Sequence, residues 1–232
     1  MDVRENQRFY QSRPLPPALF ENYKLTGCTF EGCYLPSSNK PGQWSDLRHL
    51  NISDSIQTNC AISTAKIEDV RLHNLRRHGD SPLFFWGCVF SRVTLSGRLS
   101  GLKINRSATL PENDALQSMW DAEVRAYYDS SDWALDISDA KFAGGVSFEA
   151  VPGDKIRRDS ETQILVRRER LVDSPWRAFD FDKTAIDLEL SWFLADSQFN
   201  SVVIAARMAS KFAKRDLAIL RMLREQGIAD PD

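Results

Sequence analysis

Between Cys60 and Leu72 the chain reads Cys-Ala-Ile-Ser-Thr, Ala-Lys-Ile-Glu-Asp, Val-Arg-Leu. A small or medium residue, a spacer, a larger aliphatic and two polar residues recur three times, five residues apart. This period fits neither the 3.6 residues of a helical turn nor the two-residue alternation of an extended strand. The same phase returns along much of the chain, which makes the architecture more legible than the biochemical role.

Ala18/Phe20, Tyr23/Leu25, Cys28/Phe30 and Cys33/Leu35 carry the phase first, before a Pro, Ser, Asn and Gly loop from Pro36 to Gly42. Leu50/Ile52, a weak Ser55/Gln57, and the run Cys60/Ile62, Ala65/Ile67, Val70/Leu72 follow. A second loop, Arg76 to Pro82, precedes Leu83/Phe85, Cys88/Phe90 and Val93/Leu95. Later pairs are Leu135/Ile137, Ala140/Phe142, Phe179/Phe181, Thr184/Ile186, Trp192/Leu194, Ser197/Phe199 and Val202/Ile204.

Two stretches have helical spacing instead. Leu116, Met119, Trp120, Val124 and Tyr127 form an amphipathic stripe, and Pro111, Glu112 and Asp114 suit a helix start. A terminal helix is expected over Ala205 to Gln226, ended by Gly227, with Met208, Phe212, Ile219 and Leu223 on its apolar side. Gln163 to Val166 reads as a strand, one arm of a hairpin.

The apolar pairs five residues apart resemble the pentapeptide-repeat family. That resemblance implies a right-handed, four-sided β-helix in which each pentad is one side and four pentads make one coil. The large residue of each pair fills the shaft and the small one packs in the corner; stacked coils stabilise one another. The family's Asn or Asp before the large residue is replaced here by Thr29, Tyr34, Ala61, Lys66 and Arg71. Tyr23, Phe179 and Trp192 are large for the small position, so irregular coils with looped-out corners are expected. The fold expected is mainly β: a quadrilateral β-helix over residues 18–204, with an inserted helix near 111–128 and a basic insertion near 152–177. An N-terminal arm, 1–17, precedes it, and a C-terminal capping helix and tail, 205–232, follow.

Composition narrows the function. A formal net charge of −2 leaves no overall footprint for nucleic acid or anionic membrane. No apolar run approaches the ~20 residues of a membrane span, and a polar, Pro-rich start is no signal peptide; the expected location is cytoplasmic. Acidic residues crowd Glu112 to Asp139, and arginines crowd Lys155 to Arg177, the pattern of two solvated faces that attract each other. Cys28, Cys33, Cys60 and Cys88 all fall at small inner positions, where free thiols act as small hydrophobes, so no metal is expected. His49, His73 and His78 lack the frame of a nucleophilic site, and Asp180, Asp182 and Asp187 read as a solvated outer face. No phosphate-binding glycine loop is present, and neither catalytic residues nor a cofactor are expected.

The reading that follows is a non-enzymatic protein-binding protein. Its candidate partner-binding residues are Asp136, Asp139, Arg157, Arg158, Arg167, Arg168 and Trp176. By resemblance, a bacterial immunity or modulator role is implied, with a toxin or a DNA-handling enzyme as partner; apolar surface left over once the terminal helix caps the last coil favours a homodimer. The alternative is a small enzyme or nucleic-acid binder using the Asp-rich and Arg-rich segments, with Trp176 stacking on a base.

Overall fold

The computed structural model describes residues 1–38, 40–108 and 113–230. The five-residue period has a backbone cause. Left-handed φ values recur at His49, Asp54, Asn59, Thr64, Asp69 and Asn74, one in every pentad. Asn and Asp tolerate this conformation best among residues with a Cβ, and they hold four of those six places. Each left-handed residue turns the chain, and the three or four residues between turns are extended.

The short strands assemble into four parallel sheets. Sheet I runs Asp2–Glu5, Tyr23–Thr26, Asn51–Ser53, Arg71–His73, Val93–Leu99, Leu135–Asp136, Ile156–Arg157, with Ala140–Phe142 also paired to Val93–Leu99. Sheet II holds Arg8–Tyr10, Thr29–Glu31, Ile56–Thr58 and Arg76–Arg77. Sheet III holds Tyr34–Leu35, Ala61–Ser63, Leu83–Trp86, Leu102–Asn105 and Val146–Ser147. Sheet IV holds Leu19–Glu21, Ser45–Arg48, Ala65–Glu68 and Val89–Ser91. Between Tyr23 and Trp86 the chain passes through sheets I, II, III and IV in turn and then returns to I. None of the sheets closes on itself.

The pairing register aligns the large residues of the pentads. Arg4, Leu25, Ile52, Leu72 and Leu95 stack in sheet I; Phe9, Phe30 and Gln57 in sheet II. Leu35, Ile62, Phe85 and Ile104 stack in sheet III, and Phe20, Leu47, Ile67 and Phe90 in sheet IV. All face one shared interior. Burial is uneven: Ile67, Phe85, Phe90, Leu95 and Ile104 are buried, whereas Phe20, Leu25, Phe30, Leu47, Ile52 and Ile62 are half-buried. Gln57 is buried in its stack because its amide donates to the Ser81 carbonyl (3.2 Å) and its carbonyl accepts from Cys60 N–H (3.3 Å).

Residues 1–17 differ from the expected arm. Asp2–Glu5 and Arg8–Tyr10 are paired strands, a further turn of the same winding. Charged Arg4 and Asp2 occupy places where later turns carry apolar residues, which conceals the pattern.

The inserted helix, α1, covers Asp114–Ser130; Pro111 and Glu112 lie outside the described residues. Asn113 caps it, its side-chain oxygen accepting from Leu116 N–H at 3.1 Å. The buried side is Gln117, Trp120, Asp121, Val124 and Tyr128, so the stripe is rotated from the expected one and Met119 is exposed. Asp121 turns inward because Arg106 pairs with it, Nε to Oδ1 at 3.0 Å, and Gln117 donates to the same oxygen at 2.9 Å. Trp120 meets Trp44 edge-on at 4.7 Å, and Tyr128 Oη accepts from Phe90 N–H at 3.2 Å.

Beyond Arg157 the winding stops. Gln163–Arg167 pairs antiparallel with Ser201–Ala205, so the strand expected at Gln163 to Val166 is present, but its mate lies far along the chain. Around this pair pack α2 (Arg168–Val172), α3 (Ile186–Asp196) and α4 (Ala213–Glu225). The pentads expected after Pro175 are therefore not turns of the winding: Trp192/Leu194 lie on α3, and Phe179/Phe181 follow a short 3₁₀ turn. Two apolar residues two apart arise readily in irregular or helical chain, and only a register confirms a pentad. The terminal helix starts at Ala213 rather than Ala205, which leaves Met208 outside it. Ile219 and Leu223 are buried.

Candidate interaction face

The outer side of sheet III carries a group of partly exposed aromatic residues. With Leu83, Phe85, Leu102 and Ile104 buried, strand alternation turns Phe84, Trp86 and Lys103 outward. The register sets Tyr34, Ala61, Phe84, Lys103 and Ser147 in one row, and Ser63, Trp86 and Asn105 in the next. The Phe84 and Trp86 rings stack at 5.6 Å, 15° from parallel. Ser63 Oγ donates to Tyr34 Oη at 3.2 Å. Tyr34, Phe84 and Trp86 are all half-buried, each offering part of a ring to solvent.

At the far end of the rows α3 lies alongside, and Trp192 covers the Lys103 ammonium. Two carboxyl groups accompany it. Glu149 accepts from Ser147 Oγ at 3.0 Å, and burial pushes it from 4.5 to about 7. Burial likewise pushes Glu189 up, to about 8, against the opposing pull of Lys103, and desolvation holds Lys103 below its ordinary 10.5. Lys103, Glu149 and Glu189 are scattered in sequence and follow no motif spacing. The one sequence signal for them is a lysine, Lys103, set between the apolar Leu102 and Ile104.

The residues singled out from sequence divide into two groups. Asp136 and Arg157 are register partners on neighbouring strands of sheet I, so the acidic and basic segments do meet there. They end an outward row that includes Lys24, Asn51, Arg71 and Thr94. The Arg157 guanidinium lies 4.2 Å from the centroid of the Trp133 ring, and Asp136 accepts from Ser138 N–H at 3.1 Å. Asp139 is exposed nearby, and Arg158 is half-buried.

The rest are engaged within the fold. Arg167 pairs with Asp154 at 3.1 Å and Asp230 at 2.8 Å. Arg168 donates to the carbonyls of Phe193, Leu194, Ser197 and Phe199 at 2.7–3.1 Å, which caps the C-terminus of α3. Trp176 is 3% exposed, so the base stacking expected of it is closed off. Asp180 lies in a turn, paired with Arg215 at 2.6 Å, rather than on a strand.

The cysteines sit at the small inner positions. Cys28, Cys60 and Cys88 are buried and Cys33 half-buried; all four are free. Their Sγ atoms donate to carbonyls of neighbouring turns, as from Cys88 to Ile62 at 3.4 Å. Burial raises the Cys60 thiol and pushes Cys88 up to about 12.

Fold and surface together define a mostly parallel-β protein with a helical end piece and one aromatic sheet face. Among the described residues no helix is long and apolar enough to cross a membrane. No family model and no curated protein matches the chain. A solved structure with some likeness is that of QnrB1, a plasmid-mediated fluoroquinolone resistance protein. Identity is 12%, over 67% of this chain and 79% of that one, with a TM-score of 0.16, too low to establish a common fold.

Proposed function

We propose that the chain is a non-enzymatic protein-binding protein built on a right-handed quadrilateral β-helix of the pentapeptide-repeat kind. The observation that carries the binding role is the half-exposed group of Tyr34, Phe84 and Trp86, in two adjacent rows on the outer side of sheet III. Large rigid aromatics supply contact area at small entropic cost and dominate interface energies. The β-helix reading rests on four parallel sheets visited in rotation, with four stacks of large residues facing one interior. In this reading the winding spans residues 2–157, α1 is an insertion, and residues 158–230 form the end piece.

A bacterial immunity or modulator protein acting on a toxin or a DNA-handling enzyme in the cytoplasm is the narrowest form of the proposal, with a homodimer as its assembly. The Asp136–Arg157 row is a second, polar contact area. The alternative, an enzyme or nucleic-acid binder using the Asp-rich and Arg-rich segments, finds less support, because Arg167, Arg168 and Trp176 are engaged in internal contacts.

Affinity-tagged protein recovered from its native host, with each co-purifying chain identified, tests this reading. The same partner should be lost from Phe84→Ala and Trp86→Ala variants that melt like the parent. A partner retained by both variants but lost from Arg157→Ala would move the site to sheet I.

A further inference from the structure

The interior between the four sheets is not filled. A cavity of about 290 Å³ runs through it, walled by the stacked residues of every sheet. An apolar cavity of about 150 Å³ already accepts a benzene-sized guest. Natural interiors are packed to crystal density, so a void of this size is itself an unusual feature.

The cavity is open at one end. Asp2–Glu5, Arg8–Tyr10 and Leu19–Glu21 are the outermost strands of sheets I, II and IV, and among the described residues nothing pairs beyond them. Solvent reaches inward from this mouth, which is why Leu25, Phe30 and Ile52 are half-buried. Ile104 and Leu135 at the opposite end are buried. From Arg4 through Leu25, Ile52 and Leu72 to Leu95 the stack spans four strand spacings, roughly 19 Å. One acyl chain in a bilayer leaflet covers about 15 Å, half of a ~30 Å core.

Among the described residues, Arg4 is the only charged one on this wall. It stands at the mouth, on top of the aliphatic stack, with its guanidinium 5.3 Å from the centroid of the Tyr23 ring. It pairs with Asp2, two residues away, at 2.9 Å. Both groups are well exposed, and an exposed pair of this kind is weak enough to be exchanged for another anion. A guanidinium donates in a planar fork that matches a carboxylate or a phosphate.

We propose that the interior binds a single-chain amphiphile with an anionic head, its tail in the cavity and its head on Arg4. The tail restores the contacts that the unfilled walls lack. The head displaces the Asp2 carboxylate. A neutral apolar guest would leave Arg4 without a role, and a short anion would leave the cavity empty.

The test uses the full chain, delipidated on a hydrophobic resin and titrated with a long-chain fluorescent fatty acid below its micelle concentration. Competitors are a long-chain fatty acid, an alkyl phosphate and an alcohol of the same chain length, and a short carboxylate. Either long-chain anion should displace the probe, and their ranking identifies the head. The alcohol should be about 10-fold weaker or more, the loss of a charge-assisted hydrogen bond, and the short carboxylate should not compete. Arg4→Met, at an exposed edge, should erase the difference between acid and alcohol while leaving the melting transition in place. Leu25→Phe, which narrows the channel below the mouth, should weaken acid and alcohol alike. Equal affinity for acid and alcohol in the parent, an unchanged ratio in Arg4→Met, or the absence of saturable long-chain binding would each overturn the proposal.

Discussion

The Nζ of Lys103 lies 3.9 Å from the centroid of the Trp192 ring, joining the outer side of sheet III to α3. A partly desolvated cation over an indole face contributes about 1–2 kcal/mol. A double-mutant cycle between Lys103→Met and Trp192→Leu, read from denaturant melts, should give a coupling of about 1 kcal/mol or more. Additive losses would mean that α3 is held by its apolar contacts alone.

The two carboxyl groups beside this pair make stability fall as pH rises. Glu149 and Glu189 ionise near 4.5 when unfolded, but at about 7 and about 8 in the fold. Over that window the folded chain keeps protons that the unfolded chain has lost, so the unfolding free energy decreases with pH and levels off above about 8. Asp69 works in the opposite sense: Arg92 holds it below 3.8, and its contribution disappears only in strong acid. Denaturant midpoints measured from about pH 5 to pH 9 should decline in the parent, and Glu189→Gln should flatten that decline.

Truncation inside the winding should report the burial gradient. Ile67→Ala and Phe90→Ala remove fully enclosed side chains and should cost about 2–5 kcal/mol. Phe30→Ala, near the open end, should cost distinctly less, although Phe30 stacks on Phe9 at 5.1 Å. Denaturant melts decide this, and equal losses at Phe30 and Phe90 would contradict an open end.

Tyr128 tethers α1 through one hydrogen bond. Its hydroxyl takes the Phe90 N–H, and Tyr128→Phe would leave that buried donor without a partner, a loss of about 1–3 kcal/mol. Hydrogen exchange at Phe90 should accelerate in the variant. Unchanged protection there would show that a water replaces the hydroxyl.

Thiol reagents should find Cys28, Cys60 and Cys88 closed in the folded chain and open in denaturant, with Cys33 labelled first. Burial raises the Cys60 and Cys88 thiols, so little reactive thiolate is present at neutral pH. Rapid labelling of Cys88 without denaturant would contradict its burial at the small inner position before Val89.

The pentads from Ala18 to Leu95 are readable because three residues of every five keep one conformation and the next left-handed residue renews the phase. The first turn is hidden because Asp2 and Arg4 break the apolar code without breaking the pairing. Past Pro175 the reasoning fails for the converse reason. Trp192 and Leu194 satisfy the code locally, yet no neighbouring strand supplies a register, and the segment is helical. For α1 the sequence announces a helix correctly but misplaces its buried side, since Asp121 is drawn inward by Arg106 from a different element. The Lys103, Glu149 and Glu189 cluster depends on three distant segments, and no local spacing encodes it.

The vertical pairing counts turns rather than residues. Asp54 and Asn74, bonded across adjacent turns, are 20 residues apart, whereas Ser53 and Thr26 are 27 apart and His73 and Ser96 are 23. The excess is spent at bends, around 36–38, 40–43 and 78–82, while the extended sides keep a nearly constant length. Foreign sequence grafted at 78–82 would extend a bend that already varies in length and leave every stack aligned. One residue added between Ile62 and Leu72 would shift all later apolar side chains out of phase, so the same chain is permissive to insertion at its corners and intolerant of it along its sides.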